Sequence, residues 1–517
     1  MSTLNLGILA HVDAGKTSLT ERLLLAAGVI DELGSVDEGS TQTDSLDLER
    51  QRGITIKAAV VSFSIDDVTV NLIDTPGHPD FIAEVERALS VLDGAVLVVS
   101  AVEGVQAQTR VLMRALQRLR IPTLIFVNKI DRGGAQCDRV LRSIAERLTP
   151  AVLALGSTHA PGTRDASFTP FNADDPDFTS RLAELLADHD DTLLASYVYD
   201  DTALSYDKLH AGLAEQTKRV LVHPVFFGSA ITGAGVPELA DGIKTLLPTA
   251  EDAADAPASG SVFKVERGPA GEKIAYVRMF SGTVRVRDKL AFAEGNEGKV
   301  TAISVFDHGS ARPADAVAAG RIGKLWGLGD IRVGDEIGAP RASGPSRQFA
   351  PPTLETVVVP RRAADKGTLH TALTRLAEQD PLINLRRDDL RQEISVSLYG
   401  EVQKEVIEAT LADEYGLEVE FRQSTTIHIE RPVGTGAAFE IADKDGNPFL
   451  ATVGLRVEPA PTGSGVTFHL AVELGSMPYA FFKAVEDTVH ETLRQGIHGW
   501  QVTDCTVTMT HSGYWPR

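Results

Sequence analysis

Three short strings in the first quarter of the chain combine residue types and spacings that can do chemistry. Ala10-His11-Val12-Asp13-Ala14-Gly15-Lys16-Thr17 follows one apolar run, Asp74-Thr75-Pro76-Gly77-His78 follows a second, and Asn128-Lys129-Ile130-Asp131 a third. In that order they make a phosphate cradle, a magnesium and γ-phosphate sensor and a base reader. The loop from Ala10 to Gly15 can turn its amides onto the α and β phosphates at a helix amino terminus, where the helix dipole favours anions. Ala10 stands where the common phosphate-loop pattern has glycine, and it is small enough to leave the loop possible. Lys16 would neutralise β/γ charge, and the Thr17 hydroxyl would ligate Mg²⁺.

Asp74 ends a buried strand and can hold Mg²⁺ through water, while Gly77 offers a close amide to the γ-phosphate. A contact that exists only while that phosphate exists makes the segment a switch. The whole run Asp74, Thr75, Pro76, Gly77 and His78 is assigned to the nucleotide. Upstream, Glu49-Arg50-Gln51-Arg52-Gly53-Ile54-Thr55 fits the other switch, with Thr55 as a second hydroxyl ligand for Mg²⁺. Asn128, Lys129 and Asp131 select the base. The Asp131 carboxylate accepts from the ring N–H and exocyclic amine of guanine, a pair that adenine does not offer, so GTP is preferred to ATP. Ser229 and Ala230, in Gly228-Ser229-Ala230, would support the base from the opposite side. His78 is the candidate catalytic residue, positioning the attacking water, with Val12 and Ile54 holding it away until a partner places it.

These loops need elements to hold them. Leu4–Leu9, Val68–Ile73, Ala95–Ser100 and Thr123–Val127 read as buried strands, and Thr17–Leu25 as a helix. Short apolar strands alternating with helices predict a parallel, doubly wound sheet whose ligands sit at the carboxyl ends of the strands. All three strings fall at such ends.

The chain has 517 residues, too many for one core, and 43% hydrophobic with 23% charged residues is ordinary globular composition. The apolar runs are far shorter than the roughly 20 residues of a membrane span, and the amino terminus has no secretory pattern, so a cytoplasmic protein is expected. Cys137 and Cys505, the two cysteines, exclude a disulfide framework and a cysteine-rich metal site. Fifty basic against 71 acidic residues give a net charge of −21, which argues against loose adhesion to nucleic acid. Such a partner would be held locally; Arg361-Arg362 and Arg386-Arg387 are basic patches that are either such contacts or solvated surface.

The multidomain α/β and α+β organisation reads as a P-loop GTPase domain over 1–248, with a helical, acidic insertion near 145–223. A small linker precedes short alternating segments over 261–340 that predict a β-barrel. A second linker, 340–352, carries four prolines. An α+β domain over 352–425 follows, with helices near Leu369–Gln379 and Val402–Tyr415. An α+β fourth domain over 426–517 has a helix near Tyr479–Gln495 and a closing strand Gln501–Met509.

With these strings in hand the chain resembles translational GTPases of the elongation factor G group. Gly34-Ser35-Val36-Asp37-Glu38-Gly39, Thr41-Gln42-Thr43-Asp44-Ser45, Leu398-Tyr399-Gly400-Glu401-Val402-Gln403-Lys404-Glu405-Val406 and Gly499-Trp500-Gln501-Val502-Thr503-Asp504-Cys505 resemble the tetracycline-resistance ribosomal protection proteins in particular. The resemblance implies a ferredoxin-like third domain and a monomer that takes GTP and Mg²⁺ and leaves with GDP. It implies a ribosome partner, contacted at the GTPase-activating region of the large subunit and at rRNA near the decoding region of the small subunit, where tetracycline is displaced. On that mapping His511-Ser512-Gly513-Tyr514-Trp515-Pro516 is a loop, either a probing tip that stacks on a base or a frayed end. Family members continue past this loop into a fifth domain, so the fourth domain is expected to be incomplete and the fifth absent. A translocase and a GTP-binding remnant without protection activity are the alternative functions.

Overall fold

A computed structural model describes residues 2–34, 41, 47–52, 54–190, 193, 205–250, 253–293, 295–339, 349–388, 393–444, 447 and 449–515. Residues 35–39 and 42–45 of the first-switch strings, Gly53, most of the proline linker and Pro516 lie outside them. The chain divides into two compact units after Ser424.

The first unit begins with a seven-stranded sheet. Its strands are β1 (Ser2–Ala10), β2 (Ala59–Ile65), β3 (Val68–Asp74), β4 (Gly94–Ser100), β5 (Thr123–Asn128), β6 (Val152–Ala154) and β9 (His223–Phe227), ordered β2-β3-β1-β4-β5-β9-β6. Only β2 runs antiparallel, on β3; the other pairings in this sheet are parallel. Parallel strands are covered on both faces, which is why these segments are almost continuously apolar. Side-chain alternation sends Leu4, Leu6 and Ile8 to one core and Leu9, Ala95 and Leu97 to the other. Among the described residues the α-helices of this domain are α1 (Lys16–Ala26), α2 (Asp47–Arg52), α3 (Ile82–Leu89), α4 (Ala107–Leu119), α5 (Cys137–Arg147), α6 (Pro176–Ala187), α7 (Tyr206–Lys218) and α8 (Val236–Leu246).

The insertion near 145–223 is not wholly helical, which corrects the reading above. It supplies β6 and a hairpin of β7 (Gly156–His159) and β8 (Ser167–Pro170) before α6 and α7. Its acidic helices dominated the pattern, whereas Val152-Leu153-Ala154 is short but apolar enough to extend the sheet beside β9.

The second domain is an antiparallel β-barrel. Strands Ser259–Arg267, Lys273–Ser281, Ile322–Trp326 and Ala302–Asp307 follow one another in its eight-stranded order, around a core of Val262, Val277, Met279 and Leu325. It is joined to the nucleotide domain by a buried polar knot. Arg278 donates to Asp93 at 2.9 and 3.1 Å, and Asp93 accepts from the Asn5 backbone at 2.9 Å and its side-chain amide at 2.6 Å. The Asn5 amide also donates to the Gly320 carbonyl at 3.0 Å, and Asn71 donates to Asn5 at 3.0 Å. Beside the knot, Ile73, Ala88 and Val91 share one apolar cluster with Phe263, Tyr276 and Ile322 of the barrel.

The third domain places α9 (Lys366–Gln379) and α10 (Glu401–Tyr415) against strands Arg386–Asp388, Glu393–Leu398, Leu354–Pro360 and Val419–Phe421, all antiparallel in that order. This is the ferredoxin-like arrangement. Leu369, Leu373, Ile407 and Leu411 make its core with Val358, Val396 and Leu398. The basic patches face acids here: Arg361 lies 3.2 Å from Glu418, Arg362 lies 2.8 Å from Asp365, and Arg386 pairs with Glu355.

The second unit has strands Gly436–Glu440, Ala451–Pro459, Cys505–Tyr514 and Val466–Leu470 in that order, with helix α11 (Tyr479–Thr492). The expected closing strand is two strands, Gln501–Val502 and Cys505–Tyr514, broken where Asp504 takes a φ of 55°. Asp504 accepts from the Gly463 and Gly465 amides and pairs with Arg431 at 2.6 Å, so the break is a built corner. The expected loop at His511 is corrected too. Residues His511–Tyr514 continue the long strand and pair with Gly454–Ala451, a Gly454/Leu455 bulge absorbing the extra residue. His511 stacks on Phe439 with centroids 5.0 Å apart, and a strand with a glycine and serine in it is easily misread as a loop. Both cysteines, Cys137 and Cys505, are free and buried. No helix among the described residues is long and apolar enough to cross a membrane.

Candidate functional site

The three strings meet at the carboxyl edge of the parallel sheet. β1 delivers Ala10 into a loop in which Asp13 has a φ of 61° and Gly15 a φ of 86°, and α1 starts at Lys16. A side chain at Gly15 would be strained by that backbone and would also overlap the Asn128 amide. With Gly15 as the cap, α1 has no side chain closing its amino terminus, so its first amides are left for an anion. Val12 is half-buried, Asp13 exposed and Ala14 buried. The His11 ring turns away from the cradle, with Nδ1 3.1 Å from the Thr109 hydroxyl and Nε2 3.6 Å from Glu103. Burial lowers its pKa although Glu103 pulls the other way. Whatever His11 offers a phosphate is therefore its backbone.

Four side chains converge beyond the loop. Lys16 Nζ lies 2.5 Å from Asp74 Oδ1, 3.1 Å from Thr55 Oγ1 and 3.4 Å from Thr17 Oγ1, and the two threonine hydroxyls are 3.3 Å apart. Asp74 and Thr55 are buried. Two hydroxyls and a carboxylate are hard oxygen donors, the set Mg²⁺ takes, and here they gather around a cation of the chain's own. The arrangement fits a magnesium ion held by Thr17, Thr55 and Asp74, with Lys16 released to phosphate oxygens.

Thr75 uses its hydroxyl on the Ile8 carbonyl at 2.9 Å, fixing the turn to β1, and Pro76 is buried behind it. Gly77 lies against the phosphate loop, where a Cβ would stand 3.5 Å from the Ala10 carbonyl oxygen. His78 is half-buried and caps the short turn Pro79–Phe81 by accepting from the Asp80 amide at 3.2 Å. Ile54 packs with Ile56, Phe81 and Val406, in a cluster next to His78.

At the base end, Asn128 ties three loops. Its amide donates to the Ala14 carbonyl at 2.9 Å, and its carbonyl accepts from the Ala230 amide at 2.9 Å. Lys129 has a φ of 67°, and Ile130 donates to the Gly228 carbonyl, which leaves Asp131 half-buried at the rim. The Ser229 hydroxyl accepts from Thr232 and closes its own loop.

Two residues of this site escaped the sequence reading. Glu103 stands 3.7 Å from Lys129 as well as beside His11, so one carboxylate links the phosphate loop to the base loop. Burial disfavours its charge, but Ser100, Lys129 and His11 outweigh that and hold its pKa below the ordinary range. Its place just after the carboxyl end of β4 was the available signal. Arg22, on α1, donates to the Ala230 carbonyl at 2.8 Å and to Ile231, clamping the base-supporting loop; nothing in its spacing distinguishes it from a surface arginine.

Comparison with known proteins gives four consecutive family matches: Elongation factor Tu GTP binding domain at residues 1–249, Elongation factor G domain 2 at 257–339, Elongation Factor G domain III at 349–423 and Elongation factor G domain IV at 425–516. An oxytetracycline resistance protein of Streptomyces rimosus is 55% identical over 99% of this chain and 79% of its own length. The tetracycline resistance protein TetM of Streptomyces lividans is 49% identical over 99% of this chain and 81% of its own length. TetP of Clostridium perfringens is 42% identical over 98% of this chain and 78% of its own. A crystal structure of a Thermus thermophilus protein shares the fold, with a TM-score of 0.73, 24% identity, and coverage of 99% of this chain and 81% of that one. By sequence, domain order and fold, the chain belongs to the translational GTPases of the elongation factor G type, and among them to the tetracycline-resistance ribosomal protection proteins.

Proposed function

We propose that this chain binds the ribosome with GTP in the cytoplasm, as a monomer, and displaces tetracycline from the small subunit near the decoding region. GTP hydrolysis, stimulated by the GTPase-activating region of the large subunit, then lets it leave with GDP. The observation that carries this reading is the 55% identity to an oxytetracycline resistance protein across 99% of the chain, second unit included.

The residues divide the work. Amides of Ala10 to Gly15 and of the first turn of α1 receive the phosphates, and Lys16 neutralises the β/γ oxygens. Mg²⁺, when held by Thr17, Thr55 and Asp74, offsets charge developing on the phosphate oxygens. Asp131 accepts from guanine, while Lys129, Ser229 and Ala230 frame the base. Asn128 keeps the phosphate loop and the base loop at a fixed separation. Gly77 reads the γ-phosphate through its amide. His78 orients the attacking water once the ribosome has moved it there, since phosphoryl transfer asks the protein for placement more than for covalent chemistry.

The test uses purified chain with ribosomes, labelled tetracycline and GTP. Drug release and stimulated hydrolysis are expected together, and His78→Ala is expected to slow hydrolysis roughly a hundredfold or more while GTP still binds. Stimulated hydrolysis without drug release would overturn protection. If the chain then also supports translation in place of a depleted translocase, the translocase reading replaces it.

A further inference from the structure

The loop that carries His78 reaches the third domain within two residues. Asp80 Oδ2 accepts from the backbone amides of Val402 at 3.0 Å and Gln403 at 3.2 Å. These are among the first amides of α10, which a helix normally satisfies with the side chain at its own cap. The cap of α10 is Gly400, which has no side chain, and a Cβ there would overlap the Asp80 carboxylate. The cap of a third-domain helix is therefore supplied by the nucleotide domain.

The same aspartate faces back towards the imidazole. Its amide donates to His78 Nδ1 at 3.2 Å, and its Oδ1 lies 3.5 Å from that nitrogen. With Nδ1 engaged, Nε2 is the ring nitrogen left for a water. Phe81 continues the contact, sharing a small apolar cluster with Val402 and Val406 of α10. A second tie lies behind it: Gln403 donates to Asp380 at 3.4 Å, and Asp380 pairs with Arg87 of α3 at 2.9 Å.

We infer that Asp80 is a positioning residue that caps α10 across the domain boundary, so that the placement of the third domain sets the placement of the His78 imidazole. This rests on His78 acting as the water-positioning group. An aspartate that only ended a turn would have no need of a glycine opposite it. The pairing of Asp80 with Gly400 makes the contact a matched one.

The test uses the full chain with ribosomes. Asp80→Ala is expected to lower kcat for stimulated GTP hydrolysis by roughly tenfold to a hundredfold, the range for a displaced catalytic group, with GTP affinity and the KM for ribosomes unchanged. Asp80→Asn keeps an acceptor oxygen and restores most of the loss. Gly400→Ala, at a φ of −175° that any residue adopts, reproduces the defect by expelling the carboxylate, and the Asp80→Ala/Gly400→Ala double variant is no slower than Asp80→Ala. Amide exchange at Val402 and Gln403 in the intact protein quickens in Asp80→Ala. Wild-type kcat in both single variants, with His78→Ala inactive, overturns the inference and spares the functional reading. Additive losses, no rescue by Asn, or unchanged exchange at the two amides also overturn it, because the residue is then only structural. Full activity of His78→Ala removes the role given to His78 and the inference together.

Discussion

The nucleotide domain and the second unit use side chains in opposite ways. In the first, the sheet is covered on both faces and the chemical residues stand in loops whose backbone they do not control; Gly15, Asp13 and Lys129 adopt positive φ because the turns demand it. In the second, one helix covers a four-stranded sheet, and large apolar side chains stay outside: Phe449 is 72% exposed, Tyr479 77% and Trp515 56%. Where such groups are contiguous they are a surface that a partner can cover. The first region carries the loops proposed to enclose a nucleotide, the second the outer surface proposed to meet the ribosome.

Variants can break this contrast or sharpen it. Lys16→Ala removes the cation that sits among the oxygens of Asp74, Thr55 and Thr17, and is expected to weaken GTP binding by roughly a hundredfold or more, read by titration with a fluorescent GTP analogue. Full affinity in that variant would mean that the cradle works through backbone alone. Trp515→Ala is expected to leave GTP affinity and thermal stability unchanged while reducing drug release from ribosomes by about fivefold, the scale of one lost stacking contact. A fall in melting temperature with unaltered release would turn Trp515 into a folding residue and erase the contrast.

The smallest effect is expected where the three domains of the first unit surround a cleft lined by Phe81, Arg87, Lys264, Glu266, Asp380 and Val406. Burial opposes ionisation of Glu266, but Lys264 at 2.7 Å and the Tyr276 hydroxyl at 2.6 Å hold its pKa down to about 2. A carboxyl whose pKa is lower in the folded chain stabilises it above the ordinary value near 4.5, and that stability is lost as pH falls from there towards about 2. Glu266→Gln is expected to cost about 1 kcal/mol at neutral pH and to flatten the acid-unfolding curve across that window. An unchanged curve would show that the cleft is held by its apolar walls.

How far the sequence could be read follows from the same contrast. Strings such as Asp74–His78 and Asn128–Asp131 stood out because their residue types and spacing form a recognisable pattern, although Thr75 and Asn128 turn their side chains to protein groups. The apolar strands β1, β4 and β5 were legible because burial on both faces leaves few polar positions to blur them. Arg22 and Glu103 were not, since they serve the site through other protein groups and their partners are 208 and 26 residues away in sequence for Arg22 with Ala230 and Glu103 with Lys129. The strand at His511 was missed because its partner at Gly454 and its stacking on Phe439 are long-range facts. Asp80 carried no signal in the sequence, since the α10 amides it caps lie 322 and 323 residues away.

The knot of Asn5, Asp93 and Arg278 has a mechanical side. Asn5 lies on the same strand that ends in the phosphate loop at Ala10, about 16 Å further on at the rise of a strand. A stiff strand anchored at one end in the barrel and at the other in the cradle is a strut. A displacement of the barrel at Arg278 is therefore felt along β1 at the loop that opens at Ala10.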